Sequence, residues 1–213
     1  MDISEYNYCL CDKPARILSD SKLGKCSQCQ KKELSGLYFA LPYKEKNITR
    51  KLIYQFKYKP YLKDLAKTLA SILIEHFVLS KNNTNEIWEN SVLIPVPLDK
   101  KKIKIRGYNQ SEELAKELSK VLQIPVISNV LVKTKSTKPQ MELKKEEREK
   151  NLLGAFVIKK SLPTGGQAEK ISGTKVFLVD DVYTTGSTMA ECAKVLRHAG
   201  AKQVWGITIA REG

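Results

Sequence analysis

Thirteen residues near the C-terminus, VFLVDDVYTTGST at 176–188, constrain this chain more than any other stretch. The four apolar residues Val176 to Val179 read as a strand buried on both faces, the habit of strands in a parallel sheet. The strand is expected to end in two adjacent carboxylates, Asp180 and Asp181, and then to open through Thr184-Thr185-Gly186-Ser187-Thr188 into a helix. In an open parallel sheet, ligands bind beyond the carboxyl ends of the strands. Backbone N–H groups at a helix N-terminus favour an anion, hydroxyls add donors, and glycine permits close backbone approach. The loop therefore reads as a phosphate cradle. The paired acids can accept hydrogen bonds from a ribose diol and hold Mg2+ through waters. Cradle and acids together describe a ribose-5-phosphate site. A TTGS loop alone is an ordinary helix N-cap; the full pattern singles this one out.

The rest of the chain reads as the α/β partner of that strand. Two helices are expected over 48–79, divided near Pro60, with Leu62, Leu65, Ala66, Leu69, Ile72, Leu73 and Phe77 on the buried stripe of the second. Residues 81–90 are a polar loop, SVLIPVP at 91–97 a buried strand, and DKKKIKIRGYNQ at 99–110 a basic loop. The segment 111–123 is an amphipathic helix with Ser111 as N-cap and Leu114, Leu118, Val121 and Leu122 facing inward. Strands follow at 130–132, 155–160, 174–181 and 201–211, with a helix over 187–200. Strand, helix and strand at such spacing imply a parallel sheet with flanking helices. Residues 1–35 hold little apolar mass and cannot bury a core alone. Two domains are expected, 1–35 and 36–213.

Four of the five cysteines lie in that N-terminal module. Cys9 and Cys11 form one close pair, Cys26 and Cys29 another, and fourteen residues separate the pairs. Four thiolates close a tetrahedron around a structural Zn2+, and such a metal supplies folding energy to a small module. The plain alternative is four unrelated reduced thiols. Cys192, inside a helix, reads as a small buried hydrophobe, and His76 and His198 read as structural or surface residues.

The formal net charge is +14, from 37 Lys and Arg against 23 Asp and Glu. That bias points to polyanionic partners or to the lysine-rich surface of an AT-rich genome's protein. Lys100, Lys101, Lys102, Lys104 and Arg106 face only Asp99 in their loop. A second basic run, Lys44 to Lys63, contains Tyr54, Phe56, Tyr58 and Tyr61, which either stack nucleic-acid bases or belong to the core. No apolar run approaches the ~18 residues that cross a bilayer. The N-terminus lacks the features of a secretory signal, so a cytoplasmic location is expected.

The 176–188 pattern resembles the phosphoribosyl-pyrophosphate (PRPP) motif of type I phosphoribosyltransferases. The resemblance narrows further. LIPVPL at 93–98, RGYNQ at 106–110, Leu114-Ala115, KPQMELKKEEREKNLLGAF at 138–156, the four-cysteine module and FKYK at 56–59 resemble the ComF family. That family joins a zinc finger to a type I phosphoribosyltransferase-like domain, and some members, called ComFC, act in natural transformation. The resemblance implies that the turn at Val96 and Pro97 is the pyrophosphate loop, with Arg106 as a nearby cation. It implies that 133–151 is a flexible hood, with Lys135 and Arg148 as PRPP contacts; the bland alternative is a solvated linker. Asp180, Asp181, Val182 and Thr184 to Thr188 complete the PRPP site, with Mg2+ bound at the aspartates.

Two functions follow from the resemblance. In one, the protein binds PRPP with Mg2+ and single-stranded DNA, through Lys100, Lys101, Lys102, Lys104 and Arg106, and works in DNA uptake with a cytoplasmic helicase-like partner. In the other, it is a Mg-dependent phosphoribosyltransferase with an unidentified acceptor, Asp180 and Asp181 steadying the ribose during attack at C1. A third, compatible with the first, is a PRPP sensor without chemistry.

Overall fold

The computed structural model describes residues 6–8, 10, 16–18, 32–44, 47–79, 88–135, 152–159 and 171–212. In chain order the elements are β1 (Tyr6–Tyr8), β2 (Arg16–Leu18), β3 (Gly36–Pro42), α1 (Ile48–Lys57), α2 (Leu65–Leu79) and β4 (Ser91–Pro95). They continue with α3 (Lys100–Arg106), α4 (Gln110–Leu122), β5 (Leu131–Lys133), β6 (Phe156–Ile158), β7 (Lys175–Tyr183), α5 (Ser187–His198) and β8 (Gln203–Arg211). The cysteines Cys9, Cys11, Cys26 and Cys29, and Arg148, lie outside the described residues.

Six strands form one sheet in the order β2-β1-β3-β8-β7-β4. β3, β8, β7 and β4 run parallel, and β1 and β2 add an antiparallel edge. The chain beyond α4 extends the other edge: Leu93 donates its N–H to Pro125 O, and Ile127 donates to Leu93 O, both at 2.9 Å. β7 therefore runs between two parallel neighbours, which is why its residues Val176 to Val179 are fully buried. The type I phosphoribosyltransferase-like architecture, a parallel sheet with flanking helices, is the one observed.

Each face of β7 feeds a different core. Phe177 and Val179 pack with α1, α2 and α4 through Ile53, Phe56, Leu69, Leu73, Phe77, Leu114 and Leu118. Val176 and Leu178 pack with α5 and the β5–β6 hairpin through Met189, Cys192, Leu196, Leu131 and Phe156. An aromatic cluster locks α2 to the sheet: Trp88 and Phe177 have ring centroids 4.7 Å apart, and Tyr38 meets Phe77 edge-on at 5.8 Å. Such pairs add to the burial of their area. Cys192 is fully buried and Phe56 belongs to the core, whereas Tyr54 and Tyr58 are exposed.

Several expectations change in detail. The basic loop at 99–110 contains a helix, α3. The Asp99 side chain accepts from Lys101 N–H at 2.8 Å, and Gly107 closes the helix in the left-handed region, so caps at both ends outweigh the repulsion of its lysines. The N-cap of α4 is Asn109 rather than Ser111; its Oδ1 accepts from Ser111 N–H at 3.2 Å. Val121 is exposed, because the buried stripe of α4 runs through Ser111, Leu114, Ala115 and Leu118 and leaves it aside. Leu62 precedes α2 and is exposed. β7 continues past the aspartates to Tyr183, since Val182 and Tyr183 pair with Ala210 and Arg211. β5 and β6 form their own antiparallel pair, outside the parallel sheet. β3 was not expected; its seven residues acquire strand character from pairing with β8, which the local sequence does not announce.

Gly36 sits opposite Trp205 across that pairing. A Cβ at Gly36 would lie 2.3 Å from the indole Cζ3. Gly36→Ala must push a ring that is itself packed 5.4 Å from Tyr38. Urea unfolding followed by tryptophan fluorescence is expected to show a loss of about 1–3 kcal/mol, the usual range for overpacking a tight site.

Candidate functional site at the carboxyl edge of the sheet

The carboxyl edge of β7 and β4 opens into a cleft of about 470 Å³, in the size range of small-ligand sites. Val96, Pro97, Arg106, Asp180, Asp181, Val182 and Thr184 to Thr188 all line it. Residues separated by the whole length of the α/β unit are thus brought together. Lys100, Lys101 and Lys104 are exposed on α3 and do not line the cleft; Lys102 does. Lys135 also lies away from it, donating to Leu153 O at 3.4 Å.

The aspartates are held differently. Asp181 is 2% exposed, and its Oδ1 lies 2.8 Å from the Lys57 ammonium at the end of α1. Its Oδ2 is buried with no hydrogen-bond partner among the described residues. Asp180 Oδ1 accepts from the Ser111 hydroxyl and from Asp181 N–H, each at 2.9 Å. Ser111 is available for this because Asn109 caps α4; the Asn109 amide also donates to Val96 O at 3.0 Å, tying the Val96–Pro97 turn to the helix. Arg106 donates to Gln110 Oε1, and its Nε is buried without a partner among the described residues.

Beside the acids, the loop before α5 is arranged for an anion. Gly186 sits at φ 76° and ψ 0°, and a Cβ there would lie 2.1 Å from the Tyr183 hydroxyl, so both conformation and space require glycine. Thr185 Oγ1 and Ser187 Oγ are 2.8 Å apart, and Ser187 N–H donates to Thr185 Oγ1 at 3.4 Å. The helix that follows has no acidic residue in its first turn, and its N-cap Gly186 brings no side chain to it, leaving its dipole to act on what occupies the cleft.

Burial and the neighbouring Asp181 raise the Asp180 carboxyl to about 7, against the opposing effects of Lys57, the Ser111 hydroxyl and Asp181 N–H. Burial pulls the Lys57 ammonium down, but Asp181 and Asp180 more than reverse this and leave it raised. Burial, with Lys102 nearby, lowers Lys133, which also lines the cleft.

The donor set suits a hydrated divalent cation. Two hard carboxylates stand at one edge, and Asp181 Oδ2 is an orphaned acceptor. Direct ligation through Asp181 Oδ1 would compete with the ammonium at 2.8 Å, so waters suit the fit better than a closed all-protein cage. Among the described residues there is no cluster of three or more His, Cys, Asp or Glu side chains placed to hold a metal.

Lys57, Ser111, Gln110 and Lys133 were not expected in the site. Lys57 belongs to the basic run around FKYK, whose charge was visible but whose inward member was not. Ser111 was legible only as a cap.

Aspartate releases its proton near pH 4 in an unfolded chain. Between about pH 4 and pH 7 the folded protein therefore keeps a proton at Asp180 that the unfolded chain has lost. Stability falls as pH rises through that window and levels off above it. Urea titrations from about pH 4 to about pH 8 should show wild type losing stability relative to Asp180→Asn; parallel curves would contradict the assignment.

Residues 107–213 match the phosphoribosyl transferase domain family. The chain is 36% identical over 158 residues to competence protein F of Haemophilus influenzae, covering 73% of this chain and 66% of that protein. It is 35% identical over 156 residues to the DNA utilization protein YhgH of Shigella flexneri, covering 72% of this chain and 64% of that one. With competence protein ComFC of Bacillus subtilis it shares 33% identity over 121 residues, 56% of this chain and 44% of that protein. The chain thus spans somewhat under two thirds of the length of the curated relatives it matches.

Proposed function

Because the chain belongs to the phosphoribosyltransferase domain family, and within it to the ComF proteins, we propose that it binds PRPP and acts in DNA uptake. One observation carries the PRPP reading: the acid pair, the hydroxyl-rich loop and the Val96–Pro97 turn line a single cleft. The roles follow from the chemistry of each group. Asp180 and Asp181 accept from the ribose hydroxyls. Thr184 to Thr188 and the first turn of α5 hold the 5′-phosphate. The Val96–Pro97 backbone, Lys102 and Arg106 face the diphosphate. Asp180 and Asp181 would also hold a hydrated Mg2+, which when bound neutralises diphosphate charge.

In this reading single-stranded DNA binds the exposed lysines of α3, Lys100, Lys101 and Lys104, in the cytoplasm, beside a helicase-like partner. Among the described residues no helix is long and apolar enough to cross a membrane. The N-terminal cysteines Cys9, Cys11, Cys26 and Cys29 hold a structural Zn2+; native mass spectrometry should find a single zinc per chain, lost in Cys26→Ser with Cys29→Ser.

A second reading draws on Tyr54 and Tyr58. Both line the cleft, both are exposed, and their rings lie 4.7 Å apart. They offer a stacking surface to a planar acceptor whose nitrogen attacks C1 of PRPP and expels pyrophosphate. Pyrophosphate release on screening nucleobases and amines would establish this turnover.

Calorimetry tests the first reading. PRPP with Mg2+ should bind wild type and fail to bind Asp180→Ala with Asp181→Ala; retained binding would refute the site. Oligonucleotide affinity should fall with salt at a log–log slope of roughly −0.7 per phosphate neutralised. Lys101→Glu with Lys104→Glu should weaken it without affecting PRPP. Salt-insensitive binding, or none, would sink the DNA role.

A further inference from the structure

The acid pair already has a cation. Lys57 reaches from the last turn of α1 to within 2.8 Å of Asp181 Oδ1, beneath a cleft that its side chain also lines, 24% exposed. An ammonium has three N–H donors. Asp181 is the hydrogen-bonded partner that Lys57 has among the described residues, so two donors remain for whatever enters the cleft. The walls repeat the theme. Arg50, Lys57, Lys102, Arg106 and Lys133 line the cleft against three carboxylates, Asp180, Asp181 and Glu212.

Two adjacent carboxylates are a poor place for a polyanion unless something offsets them. A divalent ion is one remedy, and a resident ammonium at the carboxylates is another. We propose that Lys57 is the built-in counter-cation of this site. It holds the buried Asp181 carboxyl group oriented toward a sugar diol, and it turns its remaining N–H groups to the ligand's anionic oxygens. The site therefore takes its sugar diphosphate without requiring a divalent cation, and Mg2+ arrives with the ligand or not at all. This rests on the PRPP reading above and adds to it the charge logic of the site. Lys57 is a positioning residue for Asp181 and a direct contact for the ligand.

The test is calorimetry of the full chain with PRPP, in Mg2+ and in EDTA. Wild type is expected to bind in both, with affinities within about threefold. Lys57→Met leaves a buried charge alone, so circular dichroism first establishes that it folds. Folded Lys57→Met is expected to lose at least about tenfold in EDTA, because a charge-assisted contact is gone. Mg2+ should recover much of that loss. Lys57→Arg keeps the charge and should restore binding in EDTA, which a merely structural ion pair would not require. Should Lys57→Met fail to fold, wild type and Lys57→Arg carry the test. Wild type that binds in Mg2+ but not in EDTA overturns this inference and leaves the PRPP reading standing. So does a folded Lys57→Met whose ratio of affinities in Mg2+ and EDTA equals that of wild type. No binding by wild type in either buffer overturns both.

Discussion

A carboxylate buried to 2% exposure at the centre of a sheet edge must have a counter-charge, and that requirement organises the cleft. Lys57 supplies it from α1, a helix that packs on the core through Ile53 and Phe56, with Leu52 beside them. The ion pair thus fixes where α1 ends relative to β7. With α1 placed, Tyr54 and Tyr58 fall at the cleft and Arg50 joins them. Removing Lys57 would leave Asp181 buried and uncompensated, which in other proteins costs about 3–5 kcal/mol. The pair is better understood as fixing geometry than as adding net stability, since its desolvation opposes most of its attraction.

The second organising contact is smaller. Asn109 caps α4 with its oxygen and holds Val96 O with its amide nitrogen. One side chain joins the end of β4 to the start of the next helix. It also leaves the Ser111 hydroxyl for Asp180. The carboxylates consequently sit in unlike surroundings. Asp180 has two donors on one oxygen and is raised by burial and by its neighbour, whereas Asp181 has an ammonium on one oxygen and, among the described residues, no partner on the other. Unlike environments for adjacent acids let one accept and the other share a proton near neutral pH.

Much of this was legible in the chain. VFLV followed by two aspartates announces a buried strand and its functional edge, because a run of that polarity has few other resting places. Thr184 to Thr188 announce the loop, because hydroxyls and one glycine before an amphipathic helix suit an anion. What escaped depends on pairing at a distance. β3 becomes a strand through β8, which the local pattern cannot show. Lys57 is one of seven cations in its stretch, and nothing in its neighbours says that it reaches the aspartates. α3 was hidden by its charge, although Asp99 and Gly107 stood at the right places to cap it.

α3 also bears on how the two faces of the protein relate. Lys102 and Arg106 look onto the cleft, while Lys100, Lys101 and Lys104 are exposed on the same short helix. Its C-terminal end is fixed to α4 through Arg106 and Gln110, and α4 in turn carries Ser111 to Asp180. Cations at the cleft and cations on the outer surface therefore belong to one short helix. Asp99 and Gly107 cap that helix at its two ends. The sheet edge and the basic helix are joined by a chain of contacts that runs from Asp180 through Ser111 and Gln110 to Arg106.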